Sequence, residues 1–248
     1  MDSFKSFKGK KVLITGHTGF KGSWLSAWLS SLGAEVIGVG LDPVSKMNHY
    51  EIAHLHNDII DHREDILDYK KIERIIHSSK PDFLFHLAAQ ALVRDSYDFP
   101  IKTWKTNVIG TLNILEALKN LNNKCTAVII TSDKCYDNVE WVWGYRETDT
   151  LGGPDPYSAS KGAAELLIRS HIKSFFSSDN CMIKIASARA GNVIGGGDWS
   201  ADRIIPDCVK AWSINEVVKL RNPHSTRPWQ HVLEPLSGYM NLALSLNE

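Results

Sequence analysis

Tyr157 and Lys161 have the spacing and the chemical types of an acid–base pair. They are four residues apart, which places both side chains on one face of a helix. A tyrosine with its ordinary pKa of about 10 is a poor base at neutral pH, but a nearby lysine ammonium stabilises the phenolate and lowers that pKa. Such a tyrosine can take the proton of a hydroxyl group that is being oxidised. By itself, the spacing is also typical of an exposed helix face.

A second acid–base pair, Asp133 and Lys134, follows an apolar run that ends at Thr131. Catalytic groups of α/β proteins lie at the carboxyl ends of strands, and Ser132 is placed there to hydrogen-bond a hydroxyl group undergoing oxidation. An acid next to a base can also remove water from neighbouring carbon atoms, which a simple dehydrogenase does not need to do. The alternative interpretation is a polar loop with two solvated charges.

The segment from Thr15 to Gly22 reads TGHTGFKG and stands between a strand-like apolar run and a helical pattern. Glycines at these spacings let the backbone turn tightly and approach a pyrophosphate, which binds at the N-terminus of the following helix. The segment therefore predicts a dinucleotide-binding loop. Its cofactor contacts are predicted at Gly16, His17, Thr18, Gly19, Phe20 and Gly22.

Asp42 closes the second predicted strand, where a carboxylate can accept both ribose hydroxyls of NAD. A 2′-phosphate would be repelled there, so the sequence predicts NAD rather than NADP, although Lys46 nearby weakens that preference. Without the glycine loop, the alternative interpretation of Asp42 is a turn residue before Pro43. Further cofactor contacts are predicted at Asp65, Ile66, Leu87, Ala88, Ala89 and Thr106, and at the pair Tyr157 and Lys161.

The elements that must position these residues alternate between short apolar runs and helical patterns, which predicts an α/β fold with a doubly wound parallel sheet. Strands are predicted at Lys11–Thr15, Glu35–Leu41, Asp58–Ile60, Asp82–Leu87, Ala127–Thr131 and Ile183–Ala188. Helices are predicted at Ser23–Leu32, Tyr69–Ser78, Ile101–Leu121 and Pro156–Ser174. We predict a Rossmann-like NAD-binding domain over residues 1–190. Residues 191–248 are predicted to begin a smaller, incomplete substrate-binding lobe that is interleaved with the first domain.

The composition excludes several classes of partner. The 248 residues include 28 basic and 28 acidic side chains, so no net charge attracts nucleic acid or an anionic membrane surface. No apolar stretch reaches the roughly 18 residues of a membrane span, and none has the form of a signal peptide. The four cysteines show no CxxC spacing, which predicts reduced thiols, no metal site and a cytoplasmic location.

Longer strings carry a family resemblance. They resemble the CDP-glucose 4,6-dehydratases, in the nucleotide-sugar dehydratase and epimerase branch of the extended short-chain dehydrogenase/reductase family, over nearly the whole chain. The strings are TGHTGFKGSW (15–24), HLAAQALVR (86–94), TSDKCYD (131–137), WVWGYRE (141–147), DPYSASKGAAE (155–165), RAGNVIGGGDW (189–199) and RPWQHVLEPLSGY (227–239). Members of this family normally continue well beyond this length, so we expect a C-terminally truncated member.

The resemblance implies an NAD-dependent lyase that converts CDP-glucose to CDP-4-keto-6-deoxyglucose. Ser132, Tyr157 and Lys161 would oxidise C4, Asp133 and Lys134 would remove water across C5 and C6, and the hydride would return to C6. Related dTDP-glucose dehydratases usually have Asp-Glu at the position of the second pair, whereas lysine is typical of the CDP-glucose branch. The resemblance further implies a deoxysugar supply for bacterial surface polysaccharide, such as lipopolysaccharide O-antigen. It also implies a homodimer through the helices flanking the active site.

The substrate is expected to be a small nucleotide sugar whose pyrophosphate needs local cations. The resemblance selects Gln90, Asn192, Arg203 and Arg227 as its contacts, and Arg189 is a further candidate, since arginine forks suit phosphate oxygens. A surface salt bridge is the alternative for each arginine. Two other functions share most of these features: a nucleotide-sugar 4-epimerase, which needs no acid–base pair for water loss, and an NAD-binding regulator or inactive fragment, which would keep only the glycine loop.

Overall fold

A six-stranded parallel sheet forms the centre of the computed structural model, which describes residues 2–220 and 222–248. Its strands are β1 Lys11–Thr15, β2 Glu35–Gly40, β3 Ile60–Arg63, β4 Phe83–His86, β5 Cys125–Ile130 and β6 Ile183–Ala188. Their spatial order is β3-β2-β1-β4-β5-β6, which confirms the predicted doubly wound sheet. The order reverses between β1 and β4, and ligands of such sheets bind in the crevice at the carboxyl ends of those strands.

Helices cover both faces of the sheet. They are α1 Phe20–Ser31, α2 His49–Ile52, α3 Tyr69–Ser79, α4 Val93–Asp98, α5 Pro100–Trp104, α6 Gly110–Lys119, α7 Pro156–Phe175, α8 Ile204–Ser213 and α9 Leu233–Asn247. Short 3-10 turns lie at Asp2–Phe7, Leu55–Asn57 and Asp133–Cys135, and a separate parallel pair consists of β7 Val193–Ile194 and β8 Gln230–His231. Over residues 2–220 and 222–248, none of the helices has both the length and the apolarity of a bilayer crossing.

Two predicted elements differ from the structure. The third strand was predicted at Asp58–Ile60 but is Ile60–Arg63, because β3 is an edge strand and needs no continuous apolar run. The helix predicted at Ile101–Leu121 contains a π-helical turn, Lys105–Ile109, between α5 and α6, which the apolar periodicity does not reveal. The other predicted elements are confirmed within three residues at each end.

Alternate residues of the strands pack into two apolar layers. Leu13 and Leu84 face the side covered by α3 and α6, whereas Val12 and Ile14 face the side covered by α1 and α9. Met240 of α9 is fully buried in that second layer. Because α9 completes this layer, residues 191–248 contribute to the sheet's own core, and the predicted division of the chain at residue 190 stays a prediction.

Gly22 lies so close to Gly16 that a side chain would not fit. A Cβ at Gly22 would be 2.1 Å from the Gly16 carbonyl oxygen, which is a backbone atom and cannot rotate away. We therefore expect Gly22→Ala to lower the free energy of unfolding by about 1–3 kcal/mol, the usual range for overpacking. Chemical denaturation, with the midpoint compared at constant slope, measures this change.

Gly238→Ala is the matched control. Gly238 is exposed on α9, and a Cβ there would have no atom within 4 Å. The same substitution should raise stability by about 0.4–1 kcal/mol, because alanine restricts the unfolded chain. Equal effects of the two substitutions would refute the proposed close contact.

Candidate active site

The glycine loop connects β1 to α1 and leaves backbone donors available at the start of the helix. The Gly16 N–H donates to the Val39 carbonyl (2.7 Å), and the Gly19 N–H donates to the Gly16 carbonyl (3.0 Å). Gly19 is the N-cap of α1, and no side chain caps the helix there. Thr18 Oγ1 donates to the Leu41 carbonyl (2.9 Å), which fixes the loop to the end of β2. A helix N-terminus of this kind favours an anion.

His17 supports this loop from below. Its ring is fully buried and lies against Gly38, where a Cβ would be 2.4 Å from the His17 Cδ2 atom. Its Nε2 is 2.8 Å from Asp61 Oδ1, and Asp61 also accepts a hydrogen bond from Tyr50 (2.6 Å). Burial lowers the pKa of His17 and favours the neutral ring. The His17 ring is therefore a packing group of this loop, and the predicted cofactor contact at His17 stays a prediction.

Asp42 shares its end of the sheet with an arginine that the sequence analysis missed. The Asp42 side chain is 90% exposed, and its Oδ1 is 3.8 Å from Arg63 Nη1. Arg63 Nη2 donates to Asp61 (2.7 Å), and Nη1 donates to the Leu41 carbonyl (3.3 Å). A carboxylate and a fixed guanidinium therefore lie side by side where β2 and β3 end.

A neutral histidine ties the glycine loop to β4 and α6. His86 Nδ1 is 2.7 Å from Thr15 Oγ1, and His86 Nε2 is 3.1 Å from Thr111 Oγ1. Burial, and then the charge of Lys161, lowers the pKa of His86 to about 3. The Ala88 N–H donates to Thr15 Oγ1 (3.2 Å), which places the segment Leu87, Ala88 and Ala89 directly beside Gly16.

The remaining predicted cofactor residues are only partly available to a ligand. Asp65 is exposed and accepts a hydrogen bond from the Leu67 N–H (2.9 Å). Ile66 is 4% exposed and packs in the core, so its side chain is a packing residue. Thr106 is half-buried in the π-helical turn.

Gln90 and Asn107 brace the loop that follows β4. The Gln90 amide exchanges two hydrogen bonds of 2.9 Å with the backbone of Leu92. Asn107, which the sequence analysis missed, accepts from the Gln90 N–H (2.9 Å) and donates to Ser160 Oγ (2.9 Å). The side chain predicted to bind substrate at position 90 is thus engaged within its own loop.

Tyr157 and Lys161 lie on the first turns of α7, whose N-terminus is capped by Asp155. Both are buried, and Ser132 is close enough to affect the Tyr157 hydroxyl. Burial raises the pKa of Tyr157 and outweighs the opposite effect of Ser132. The expected lowering of this pKa is therefore wrong for this structure. Burial also lowers the pKa of Lys161 to about 8, although the Glu165 charge opposes that change.

The Asp133–Lys134 pair lies in the 3-10 turn directly after β5. Ser132 caps this turn, since its Oγ accepts from the Lys134 N–H (3.2 Å) and donates to Asp133 Oδ1 (2.9 Å). Both side chains are half-buried, and the Asp133 charge acts on Tyr157. The structure thus brings the two acid–base pairs to one site.

Lys21 is a further cation at this site that no sequence motif indicated. Its Nζ donates to the Tyr239 hydroxyl of α9 (3.4 Å). Burial, followed by the charges of Lys161 and Arg203, lowers the pKa of Lys21 to about 8. The contact joins residues 218 positions apart in the chain, so only the fold reveals it.

Of the predicted substrate residues Asn192, Arg203 and Arg227, Arg203 is the one whose charge acts on described residues of the site. Arg203 is at the N-cap position of α8. It donates to Asp198 (2.7 Å), while its charge reaches Lys21 and Tyr157. Arg227 is exposed and donates to the adjacent Thr226 carbonyl (2.8 Å). The Asn192 carbonyl accepts from the Gln230 N–H (3.1 Å), so the pairing of β7 with β8 places these two segments side by side.

Arg189 is not available as a phosphate ligand. Its Nη2 donates to Glu165 (2.8 Å) and its Nη1 donates to the Tyr136 hydroxyl (2.8 Å). The candidate role of Arg189 at the pyrophosphate is therefore wrong, because its guanidinium is held inside the protein by Glu165, Tyr136 and the Glu147 carbonyl.

No metal cluster is visible in the part of the chain that the structure describes: no group of three or more His, Cys, Asp and Glu side chains is arranged to hold an ion. The four cysteines are free thiols.

A profile of the family described as GDP-mannose 4,6 dehydratase matches residues 13–246. The chain belongs to this family. The matched region of this GDP-mannose 4,6 dehydratase family member contains the glycine loop, the Ser132–Lys134 segment and the pair Tyr157 and Lys161.

This member of the GDP-mannose 4,6 dehydratase family is 53% identical over 243 residues to the CDP-glucose 4,6-dehydratase of Salmonella typhimurium. The match covers 97% of this chain and 68% of the Salmonella protein. The resemblance to the CDP-glucose 4,6-dehydratases is thereby confirmed. The chain covers a smaller share of two other relatives, since it spans 54% of the length of each.

Two solved structures have the same fold. The epimerase Mth375 of Methanothermobacter thermautotrophicus has a TM-score of 0.85 at 27% identity, with 98% of this chain and 70% of that chain covered. A double mutant of DesIV, the dTDP-glucose 4,6-dehydratase of Streptomyces venezuelae with NAD and DAU bound, has a TM-score of 0.83 at 21% identity, with 94% and 71% covered. Because both an epimerase and a dehydratase share the fold, the fold does not decide between them.

Proposed function

We propose that this chain carries the catalytic site of a CDP-glucose 4,6-dehydratase, a lyase that forms CDP-4-keto-6-deoxyglucose. One observation carries the proposal: the turn with Asp133 and Lys134 begins at Ser132, beside the buried Tyr157. Tyr157, which serves the oxidation, and the Asp133–Lys134 pair, which serves the elimination, thus belong to one site. The 53% identity to the Salmonella enzyme of that name supports the choice of nucleotide.

The glycine loop fits NAD. Gly16 and Gly22 leave no room for a side chain because β1, α1 and the segment after β4 meet there through their backbones. This tight turn leads directly to the α1 N-terminus, where a pyrophosphate binds. The α1 N-terminus has no side-chain cap, and the exposed Asp42 can accept ribose hydroxyls. When bound, NAD supplies an acceptor for the C4 hydride, which is later returned to C6.

The protein's own residues divide the reaction into two parts. Tyr157 takes the proton of the C4 hydroxyl, and Ser132 holds that hydroxyl. Because burial raises the pKa of Tyr157, the phenolate needs a neighbouring cation, and we assign that role to Lys161. The resulting C4 ketone acidifies the C5 hydrogen. Lys134 then removes the C5 proton, and Asp133 protonates the C6 hydroxyl as it leaves as water.

The pyrophosphate of the substrate is neutralised locally. The charge of Arg203 acts on both Lys21 and Tyr157, and Asn192 and Arg227 lie at the β7–β8 edge. We assign Asn192, Arg203 and Arg227 to a substrate-binding lobe that begins at residue 191, whereas Lys21 belongs to α1. We also place the enzyme in the cytoplasm, where the four free thiols stay reduced.

The two parts of the reaction can be separated by substitution. In deuterated solvent, with CDP-glucose and NAD, the parent protein should form a 4-keto sugar that carries deuterium at C5. Tyr157→Phe should slow C4 oxidation by roughly 10²–10⁴ and form no NADH, because the base is missing. Lys134→Met should still oxidise C4 and accumulate NADH, but it should place little deuterium at C5. Absorbance of NADH and mass spectrometry of the sugar measure both steps.

Asp133→Asn identifies the base within the pair. If Asp133 were the C5 base, exchange would disappear in Asp133→Asn and persist at a reduced rate in Lys134→Met. Parent-like exchange in both variants would remove the pair from the elimination. UDP-glucose and dTDP-glucose, tested beside CDP-glucose, report the nucleotide preference. A C4-epimerised product without a 4-keto sugar would identify a 4-epimerase instead.

Asp42 and Arg63 set the preference between NAD and NADP. The parent should bind NAD more tightly, because a 2′-phosphate would meet the Asp42 carboxylate. Asp42→Asn removes the carboxylate charge, whereas Arg63 stays in place 2.7 Å from Asp61. The ratio of the Kd for NADP to the Kd for NAD should therefore fall about tenfold, which corresponds to about 1.4 kcal/mol. Calorimetry measures both constants, and equal affinities of the parent for NAD and NADP would contradict the role of Asp42.

We further propose a homodimer through the exposed apolar side chains of α5 and the adjoining π-helical turn. Ile101 is 70% exposed, Trp104 is 41% exposed and Ile109 is 45% exposed, and such patches mark protein interfaces. Trp104→Glu should convert the dimer to a monomer of 27.8 kDa in sedimentation experiments. Val217→Glu, a change of an exposed apolar side chain beyond α8, is the control and should leave the mass of the dimer unchanged. A parent protein that sediments as a monomer would refute the dimer.

A further inference from the structure

Glu165 extends the catalytic row of α7 by one more helical turn. Tyr157, Lys161 and Glu165 follow each other at intervals of four residues and therefore share a face of the helix. Glu165 is 5% exposed and has no part in the chemistry proposed above. Its carboxylate accepts hydrogen bonds from Thr131 Oγ1, from Ser187 Oγ (3.0 Å) and from Arg189 Nη2 (2.8 Å). A buried carboxylate with this many partners is fixed in position.

Arg189 connects this carboxylate to the far end of the catalytic turn. Its Nη1 donates to the Tyr136 hydroxyl (2.8 Å) and to the Glu147 carbonyl (3.2 Å). The guanidinium also lies over the Tyr136 ring, 4.8 Å from its centroid. The hydrogen bonds that Arg189 donates to Glu165 and to Tyr136 help to raise the pKa of Arg189 against the effect of burial. Both members of the pair are therefore charged and largely removed from solvent.

The pair holds both ends of the segment that carries the elimination groups. Thr131, which bonds Glu165, is the residue before Ser132, and Tyr136, which bonds Arg189, is the residue after Cys135. The Tyr136 ring also stacks on the ring of Tyr145, and the two ring centroids are 5.0 Å apart. Residues 132–135 therefore lie between two anchored residues, Thr131 and Tyr136, and both of these bind to the Glu165–Arg189 ion pair.

We propose that Glu165 and Arg189 form a positioning pair that sets Asp133 and Lys134 relative to Tyr157 and Lys161. The inference rests on the proposed function, because it assigns elimination to the turn and oxidation to α7. The α7 residues belong to a helix of 20 residues with its own cap, so they keep their place without Arg189. The turn is short and depends on its anchors. Loss of the pair therefore affects elimination more than oxidation.

Arg189→Met tests this difference. A displacement of about 1 Å can cost about 100-fold in rate, so elimination should slow by about that factor while C4 oxidation changes little. The variant should accumulate NADH during turnover and place less deuterium at C5, with KM nearly unchanged. Arg189→Lys should recover only part of the elimination rate, since an ammonium cannot reproduce the planar fork between Glu165 and Tyr136.

A second variant and a second measurement make the test independent of folding and of turnover. Tyr136→Phe leaves the ion pair and the ring intact, removes one anchor, and should show a smaller difference of the same kind. In the cofactor-free protein, amide hydrogen exchange should increase over residues 132–137 in both variants and stay unchanged in β1 and β4. Lys71→Met, which removes the exposed pair of Lys71 with Glu64 (2.7 Å), is the control and should change neither measurement.

A parallel fall of oxidation and elimination, with faster exchange throughout the sheet, would show a merely structural role and overturn the proposal. Parent-like elimination and parent-like exchange in Arg189→Met would overturn it as well. Failure of the proposed function is recognised separately, because the parent protein itself would then place no deuterium at C5. In that case the exchange of residues 132–137 still decides whether the pair holds the turn.

Discussion

The close approach of three backbone segments at Gly16 is the constraint on which the site depends. The Gly16 carbonyl contacts Gly22 of α1, and on the other side the Gly16 backbone lies against Ala88 after β4. With φ of 75°, Gly16 also adopts a conformation that favours glycine. These contacts direct the start of α1 into the crevice between β1 and β4. Thr15 and the neutral His86 fix the same junction through side chains, so the cofactor end of the crevice is rigid.

The local charge near Tyr157 and Lys161 differs from the net charge of the whole chain. The chain has equal numbers of acidic and basic side chains, yet the charges of Lys161 and Arg203 both act on Lys21, and Arg203 also acts on Tyr157. Burial makes each ammonium costly, which explains the lowered pKa of Lys21 and of Lys161. A site of this kind gains most from an anionic ligand, because such a ligand relieves the mutual repulsion of the cations.

The sequence predicted those parts of the fold and site that depend on neighbouring residues. The strand, glycine loop and helix at the start of the chain follow from local spacing, and so does the placement of Tyr157 and Lys161 on α7. The predicted position of β3 was wrong because an edge strand such as IDHR lacks an apolar run. Arg63, which is part of this strand, was missed for the same reason. The predicted direction of the Tyr157 pKa shift was wrong because the shift depends on burial, which only the whole fold determines.

Long-range contacts account for the rest of what was missed. The contact between Lys21 and Tyr239 joins the two ends of the chain, and no local pattern indicates it. Arg189 looked like a phosphate ligand because arginines suit phosphates, whereas its actual partner, Glu165, lies 24 residues earlier on another element. Glu165 itself was visible as the next residue in the row of Tyr157 and Lys161, but only the fold shows that it points to Thr131 and not to solvent.

The position of α9 has a consequence for synthesis of the protein on the ribosome. One apolar layer of the sheet, with Val12 and Phe85 among its members, is completed by Leu236 and Met240. β6 ends at Ala188, but α9 begins only at Leu233, so all six strands emerge before the part of their cover that α9 supplies. During that interval the nascent chain exposes a wide apolar surface. Contacts of such long sequence separation slow folding and leave intermediates prone to aggregation, and a nascent chain in this state is a natural client for chaperones.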